Sequence, residues 1–323
     1  MLTYLITGCA GFIGFSLSKS LLDKNVRIIG LDNLNDYYSI DLKNDRLNVL
    51  KEYSNFTFFQ EDIKNCSIKR IFKDNKIDVV VNLAAQAGVR YSIDHPEKYI
   101  DSNIVGFFNI MECCRNYEVD KLVYASSSSV YGKSRKTPFS EDDNVDNPIS
   151  LYAATKKSNE LIAHTYSSLF NIKTVGLRFF TVYGPWGRPD MALFKFVDKI
   201  VKDKPIEIFN HGELSRDFTY IDDIVEGIEK SIDSLFNKDE KTRYRIYNIG
   251  NNTPVKLTRF IEIIESKLGK KAIKQYVDMQ PGDVPTTYAD LTKIRKDLLY
   301  DPKVDIELGV EKFISWYLNY YKI

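Results

Sequence analysis

Tyr152 and Lys156, in Tyr-Ala-Ala-Thr-Lys, have a spacing that puts both side chains on one face of a helix. A run of four serines, Ser126–Ser129, lies just upstream. A tyrosine with a pKa of about 10 is a poor base at neutral pH. A neighbouring ammonium favours the phenolate and lowers that value. Such a pair can take the proton of an alcohol while the carbon bearing it is oxidised, and Ser127 can hydrogen-bond the same oxygen. The catalytic candidates are therefore Ser127, Tyr152 and Lys156. The pattern also occurs at Tyr117 and Lys121, but that copy has no serine cluster before it and straddles a helix end and the start of a strand.

Oxidation of an alcohol carbon needs an acceptor, and the N-terminus reads as the place for one. Gly8, Gly11 and Gly14 follow a short apolar run and open a helical pattern, with Phe12 and Ile13 between them. Glycines there allow a tight turn and close approach of a pyrophosphate, and the helix N-terminus offers unpaired N–H groups. Asp32 ends the second apolar run, where a carboxylate can take both ribose hydroxyls and repel a 2′-phosphate. Asn33 follows it rather than an arginine. NAD is thus preferred to NADP. Asp62 and Ile63, after the third run, are placed to meet adenine; a helix N-cap is the alternative for Asp62.

These residues need a scaffold that brings strand ends together. Tyr4–Thr7, Arg27–Leu31, Phe56–Phe59, Val79–Leu83, Leu122–Ser126 and Thr174–Phe179 read as strands of a sheet buried on both faces. Helices are expected to start near Phe12, Ser67, Glu97 and Ser150. The fold class is α/β, a Rossmann-type doubly wound parallel sheet with a smaller C-terminal α/β substrate domain. The expected division is 1–180 for NAD and 181–323 for substrate, with parts of roughly 215–252 packing back on the first domain. Phe313, Trp316, Tyr317 and Tyr320 fall at helical spacing and read as core. The charged run Lys238–Lys241 reads as a solvated loop.

Composition excludes several classes. Lys plus Arg is 45 and Asp plus Glu is 44, which gives no electrostatic case for nucleic acid or a membrane surface. Residues 1–7 have no basic region and run into the glycine turn, so they read as a buried strand rather than a secretion signal. No apolar run approaches a membrane span. The cysteines, at 9, 66, 113 and 114, form neither a zinc pattern nor a disulfide framework. His95, His164 and His211 match no ligand spacing, so no metal is expected. A cytoplasmic location is the natural reading.

Taken together, the chain resembles the extended short-chain dehydrogenases/reductases that act on nucleotide sugars, the NAD-dependent epimerase/dehydratase family. Within that family it is most similar to UDP-glucuronate 4-epimerases. The resemblance is carried by Asn82-Leu-Ala-Ala-Gln-Ala-Gly-Val-Arg-Tyr-Ser92, by Ser150–Lys157, and by the long segment from Leu177 to Phe196 that contains Thr-Val-Tyr-Gly-Pro-Trp-Gly-Arg-Pro-Asp. It implies that Leu83, Ala84, Ala85 and Asn103 lie against NAD, Asn103 near the nicotinamide. It implies a UDP-sugar partner, with Arg216 on the diphosphate and Gln280 and Asp283 around the nucleotide. Ser128 would touch the sugar, as would Thr181 and Arg188, the last two receiving a uronate carboxylate. Arg90 is a candidate for substrate or phosphate. It also implies a homodimer through a four-helix bundle formed by helices near 97–117 and 150–170.

Departures from sister groups sharpen this. UDP-galactose 4-epimerases commonly carry Asn where this chain has Thr181, and often Arg where it has Gln280. UDP-glucuronate decarboxylases typically carry Glu where it has Ser129. A 4-epimerase of UDP-glucuronate is therefore the leading expectation. UDP-glucose or UDP-N-acetylglucosamine epimerisation, decarboxylation of UDP-glucuronate, and a non-catalytic nucleotide sensor are the alternatives.

Overall fold

The computed structural model describes residues 1–134, 136–237, 242–280 and 282–323, so the 238–241 run and Pro281 lie outside the described residues. Twelve strands are described: β1 (Thr3–Thr7), β2 (Arg27–Asp32), β3 (Phe56–Gln60), β4 (Val79–Asn82), β5 (Lys121–Ser127), β6 (Lys173–Phe179), β7 (Thr181–Tyr183), β8 (Ile206–Phe209), β9 (Ser215–Tyr220), β10 (Tyr244–Ile249), β11 (Pro254–Lys256) and β12 (Lys274–Val277). Seven of them form one sheet in the order β10-β6-β5-β4-β1-β2-β3, with every neighbouring pair parallel. All of β1 and β4 is buried. Their near-continuous apolar sequence is what a sheet covered by helices on both faces requires. The chain reverses direction across the sheet between β1 and β4, and a crevice opens at the carboxyl ends of those strands.

Two small sheets, β11-β9-β7 and β12-β8, carry the substrate-side loops. The helix Ile306–Tyr321 packs its aromatic stripe beside them. Phe313 and Tyr317 are buried, and Trp316 lies between Trp186 at 5.5 Å and Tyr320 at 5.3 Å. Packed aromatic pairs of this kind hold the loop that bears Trp186.

Three features add to or depart from the sequence expectation. First, β10, which lies within the 215–252 stretch, joins the main sheet beside β6 as its seventh strand. Second, a helix spans Ile40–Lys51, capped by Ser39, whose hydroxyl accepts from Leu42 N at 3.3 Å. Its buried face is Leu42, Leu47 and Leu50 interleaved with Lys43 and the fully buried Arg46, so polar residues interrupt the apolar stripe. Third, the helix expected from Glu97 is broken into Pro96–Tyr99, a wide-turn π segment Ile100–Val105, and Gly106–Asn116. Such wide turns re-aim side chains and are frequent at functional sites. Among the described residues, no helix is long and apolar enough to cross a membrane.

Candidate active site

A cleft of about 720 Å³ runs along the carboxyl ends of the parallel strands and continues under the 181–191 and 282–287 loops. At one end lies the glycine turn. Gly8 takes a positive φ of 72° and donates its N–H to Leu31 O at 2.7 Å. A Cβ on Gly8 would run into the Ala84 backbone, and one on Gly14 into the Gly8 carbonyl. The helix Phe12–Asp23 begins after Gly11 with no side-chain cap, and Gly8, Gly11, Phe12, Ile13 and Gly14 all line the cleft. An uncapped helix start against a wall with no side chains fits a pyrophosphate.

Asp32 is buried at the end of β2 and accepts from Ala10 N at 3.1 Å and Leu34 N at 2.9 Å. Burial raises its carboxyl pKa; the Lys43 charge and those amides oppose the rise. Asn33 donates to Asp62 Oδ2 at 2.9 Å, tying the second strand end to the third. Asp62 is not a helix cap: its Oδ1 accepts from Lys64 N at 3.0 Å within a turn. Ile63, Leu83, Ala84 and Ala85 complete this wall. Lys43 and Asn35 also stand here and were not expected. The buried Lys43 amine donates to Asn35 O at 2.6 Å and to its Oδ1 at 2.8 Å. The signal that could have found them is Ser39 as a helix cap before Leu42, Leu47 and Leu50 at helical spacing.

Asn103 is placed differently from the expectation. It is 1% exposed and does not line the cleft; Ser102 does. Its Oδ1 accepts from Gln86 N at 2.8 Å, and its amide donates to Gln86 O and Thr155 Oγ1, both at 3.0 Å. Those bonds use the side chain fully, so Asn103 pins the loop after β4 from behind.

The serine–tyrosine–lysine group occupies the middle of the cleft. Ser127 ends β5, and its hydroxyl accepts from Ser129 N at 3.1 Å, which starts a short 3₁₀ turn, Ser128–Tyr131. Ser150 caps the helix Leu151–Phe170 by accepting from Ala153 N at 3.1 Å, fixing Tyr152 in its first turn. Lys156 is buried, donates to Ala125 O at 2.8 Å, and sits 6.0 Å from the centroid of the Tyr152 ring. Burial pushes the Lys156 amine down to about 8. It raises the Tyr152 hydroxyl, against which a Ser127 hydrogen bond and the Arg188 charge pull downward. Arg188 thus adds a positive charge at the phenol that was not expected, beside the Lys156 amine. Behind this group a buried ion pair clamps strand to helix. Arg178 of β6 reaches both Glu160 oxygens at 2.9 Å and Tyr131 Oη at 3.0 Å, and Ser126 donates to Glu160 at 2.6 Å.

The far wall is charged. Arg188 forks onto Asp190, Nε to Oδ1 at 2.9 Å and Nη2 to Oδ2 at 2.5 Å. Thr181, at the start of β7, and Ser128 line the cleft with it. Arg216 Nη2 donates to Asp283 Oδ1 at 2.6 Å, and Arg90 Nη2 reaches Asp283 Oδ2 at 3.3 Å. Burial lowers the Arg216 pKa, Asp283 offsets this in part, and Arg90 adds to it. Two guanidiniums gathered on one carboxylate supply donors suited to phosphate oxygens. Asp217, the neighbour that could have paired with Arg216, instead accepts from the N–H groups of Asn251, Asn252 and Ala289. Gln280 does not line the cleft, and its buried Oε1 has no partner among the described residues. The histidines stand apart: His211 meets Asp278 at 3.1 Å, His95 lies 3.9 Å from Glu97, and His164 packs on Tyr244.

Comparison with known proteins places this geometry. Residues 4–250 match the NAD dependent epimerase/dehydratase family. "Protein CapI" of Staphylococcus aureus is 55% identical over 98% of this chain and 99% of its own. A UDP-glucuronate 4-epimerase of Thermodesulfobacterium geofontis is 45% identical over 97% of this chain and 95% of its own. The crystal structure of UDP-glucuronic acid 4-epimerase from Bacillus cereus, in complex with UDP-glucuronic acid and NAD, superposes with a TM-score of 0.92 at 35% identity, covering 99% of this chain and 100% of that one. The chain belongs to the NAD dependent epimerase/dehydratase family.

Proposed function

We propose that this chain is a UDP-glucuronate 4-epimerase, interconverting UDP-glucuronate and UDP-galacturonate with NAD. The observation that carries this reading is the set of groups brought to one cleft: a glycine cradle with Asp32, the group Ser127, Tyr152 and Lys156, the pair Thr181 and Arg188, and Arg216. That set suits a dinucleotide, a sugar alcohol, a uronate carboxylate and a diphosphate. The relatives named as UDP-glucuronate 4-epimerases support the uronate.

Asp32, with Lys43 close by, would hold the adenosine ribose, and Lys156 the nicotinamide ribose. When bound, the nicotinamide ring accepts the electron pair of the C4–H bond and later returns it. Tyr152 takes the proton of the C4 hydroxyl as the C4 carbonyl forms, and Ser127 hydrogen-bonds that oxygen. Arg216 keeps the diphosphate anchored while the 4-keto sugar turns over. Tyr152 then gives its proton back on the other face, and no cofactor is consumed. The 4-keto uronate is a β-keto acid, prone to losing CO₂. Arg188 and Thr181 keep its carboxylate ionised and out of line with the carbonyl π system. Ser129 stands where the decarboxylases typically carry Glu.

The assembly we propose is a homodimer. Val105 and Phe108 are 40% and 46% exposed, and Leu161 and Leu169 on the helix Leu151–Phe170 are 58% and 67% exposed. These side chains form an apolar face suited to pairing with a second copy in a four-helix bundle. Four free cysteines, three of them buried, suit a reducing cytoplasm.

The test is a proton NMR time course of the purified protein with UDP-glucuronate and no added NAD. UDP-galacturonate as the only product is expected. UDP-xylose would replace the reading with decarboxylation, and turnover of UDP-glucose alone would replace it with neutral-sugar epimerisation.

A further inference from the structure

Asp190 is a carboxylate built into the sugar end of the cleft. It holds the Arg188 fork at 2.9 and 2.5 Å and accepts from Tyr37 Oη at 3.0 Å. The Tyr37 ring also lies 5.8 Å from the Arg188 guanidinium. The pair with Asp190 uses Arg188 Nε and Nη2 and leaves Nη1 outside it. Burial would raise the Asp190 carboxyl; the Arg188 charge, its hydrogen bonds and the Tyr37 donor outweigh it and hold the group below the usual range. Asp190 is therefore a standing negative charge beside the only cation we assign to the substrate carboxylate.

We infer that Asp190 is a positioning residue for epimerisation: by occupying half of the Arg188 fork it weakens the grip on a uronate carboxylate enough for the keto sugar to turn over. This rests on the uronate reading above. A half-buried guanidinium with no resident partner would take a carboxylate in a bidentate, charge-assisted pair. That pair would bind the ground state more tightly and resist rotation, lowering KM and kcat together. Asp190 divides the guanidinium charge and repels a second carboxylate. Tyr37, on the loop after Asn35, anchors Asp190 so that it cannot swing away when substrate enters.

The test compares wild type with Asp190→Asn, Asp190→Ser, Asp190→Glu, Arg188→Ala and the double variant Arg188→Ala/Asp190→Asn. Calorimetry with UDP-glucuronate, UDP-glucose and UDP gives binding, and NMR gives turnover. Asp190→Asn is expected to tighten UDP-glucuronate about tenfold, or ~1.4 kcal/mol, and to lower kcat by a similar factor, while UDP-glucose and UDP bind as before. Asp190→Ser should act likewise and answers the question should the amide variant misfold. Asp190→Glu should return both values toward wild type. On the Arg188→Ala background the asparagine should add nothing, because Asp190 acts through Arg188. Weaker UDP-glucuronate binding in both Asn and Ser variants, or equal changes for UDP-glucose, would overturn the inference. Wild-type protein that does not turn over UDP-glucuronate would instead remove the reading beneath it, before any variant is made.

Discussion

The middle of the cleft and its far wall hold their functional groups by different means. Ser127, Tyr152 and Lys156 are positioned by backbone: a strand end, a capped helix start and the carbonyl of Ala125. The Glu160–Arg178 pair locks those two elements together from behind, where solvent does not reach. Arg188 and Arg90 are positioned by side-chain carboxylates, Asp190 and Asp283, that stand 25% and 20% exposed on the cleft wall, and Arg216 by Asp283 together with the Ser215 and Pro285 carbonyls. Backbone positioning leaves no charge to share with a ligand, whereas a guanidinium paired with a carboxylate does. The chemistry is therefore on the rigid side, and substrate anions must share guanidiniums with carboxylates already in place.

Removing the reacting hydroxyl from the rigid side should have the largest effect. Tyr152→Phe is expected to lower kcat by about 10³-fold, within the range for a lost general acid–base group. UDP-sugar binding and thermal stability should stay near wild type, because the Ser127 hydroxyl that pairs with the phenol keeps its hydrogen bond from Ser129 N. A kcat within tenfold of wild type would move proton transfer to another group and erase the distinction between the two sides.

On the exchangeable side the expected signature is affinity. Arg216→Ala should raise KM about 10- to 100-fold, the ~1.5–3 kcal/mol of a hydrogen bond to a charged group, with kcat changed far less. The Asp283 carboxylate left behind keeps Arg90 as a partner at 3.3 Å, so the fold should survive. Equal losses in KM and kcat, read by steady-state kinetics, would mean that Arg216 positions the reacting sugar as well as the diphosphate.

The same contrast governs how much could be read from sequence. Backbone positioning leaves periodic traces: the strand limits fall within a residue or so of the apolar runs, and Ser150 announces its helix. Side-chain positioning leaves none. Asp190 was visible only as a neighbour of Arg188, and nothing in the local pattern shows that Arg216 pairs with Asp283 rather than with Asp217. Lys43 was missed because it and Arg46 interrupt the Leu42, Leu47 and Leu50 stripe of the helix Ile40–Lys51, where the buried Arg46 guanidinium donates to the Ala10 carbonyl at 2.8 Å. The family resemblance implies Asn103 beside the cofactor, but Asn103 lies buried within the wide turn at Ile100–Val105, and Ser102 lines the cleft instead.

The smallest expected effect is a pH dependence in which stability and activity move in opposite directions. The Lys156 amine has a folded pKa of about 8, below the 10.5 of a free amine. Between those values the unfolded chain binds a proton that the folded chain has released. Stability therefore rises with pH across that window and falls as pH drops back through about 8. Activity should do the reverse, because an uncharged Lys156 neither favours the Tyr152 phenolate nor donates as strongly to a ribose hydroxyl. We expect an alkaline limb in kcat/KM near pH 8, and a melting temperature that, relative to Lys156→Met, improves between pH 8 and 10. The Met variant should lose the limb along with most of its activity. A wild-type profile flat through pH 9, with no relative gain in melting temperature, would mean that Lys156 keeps its proton. The buried side of the cleft would then tolerate a fixed charge as the exposed side does.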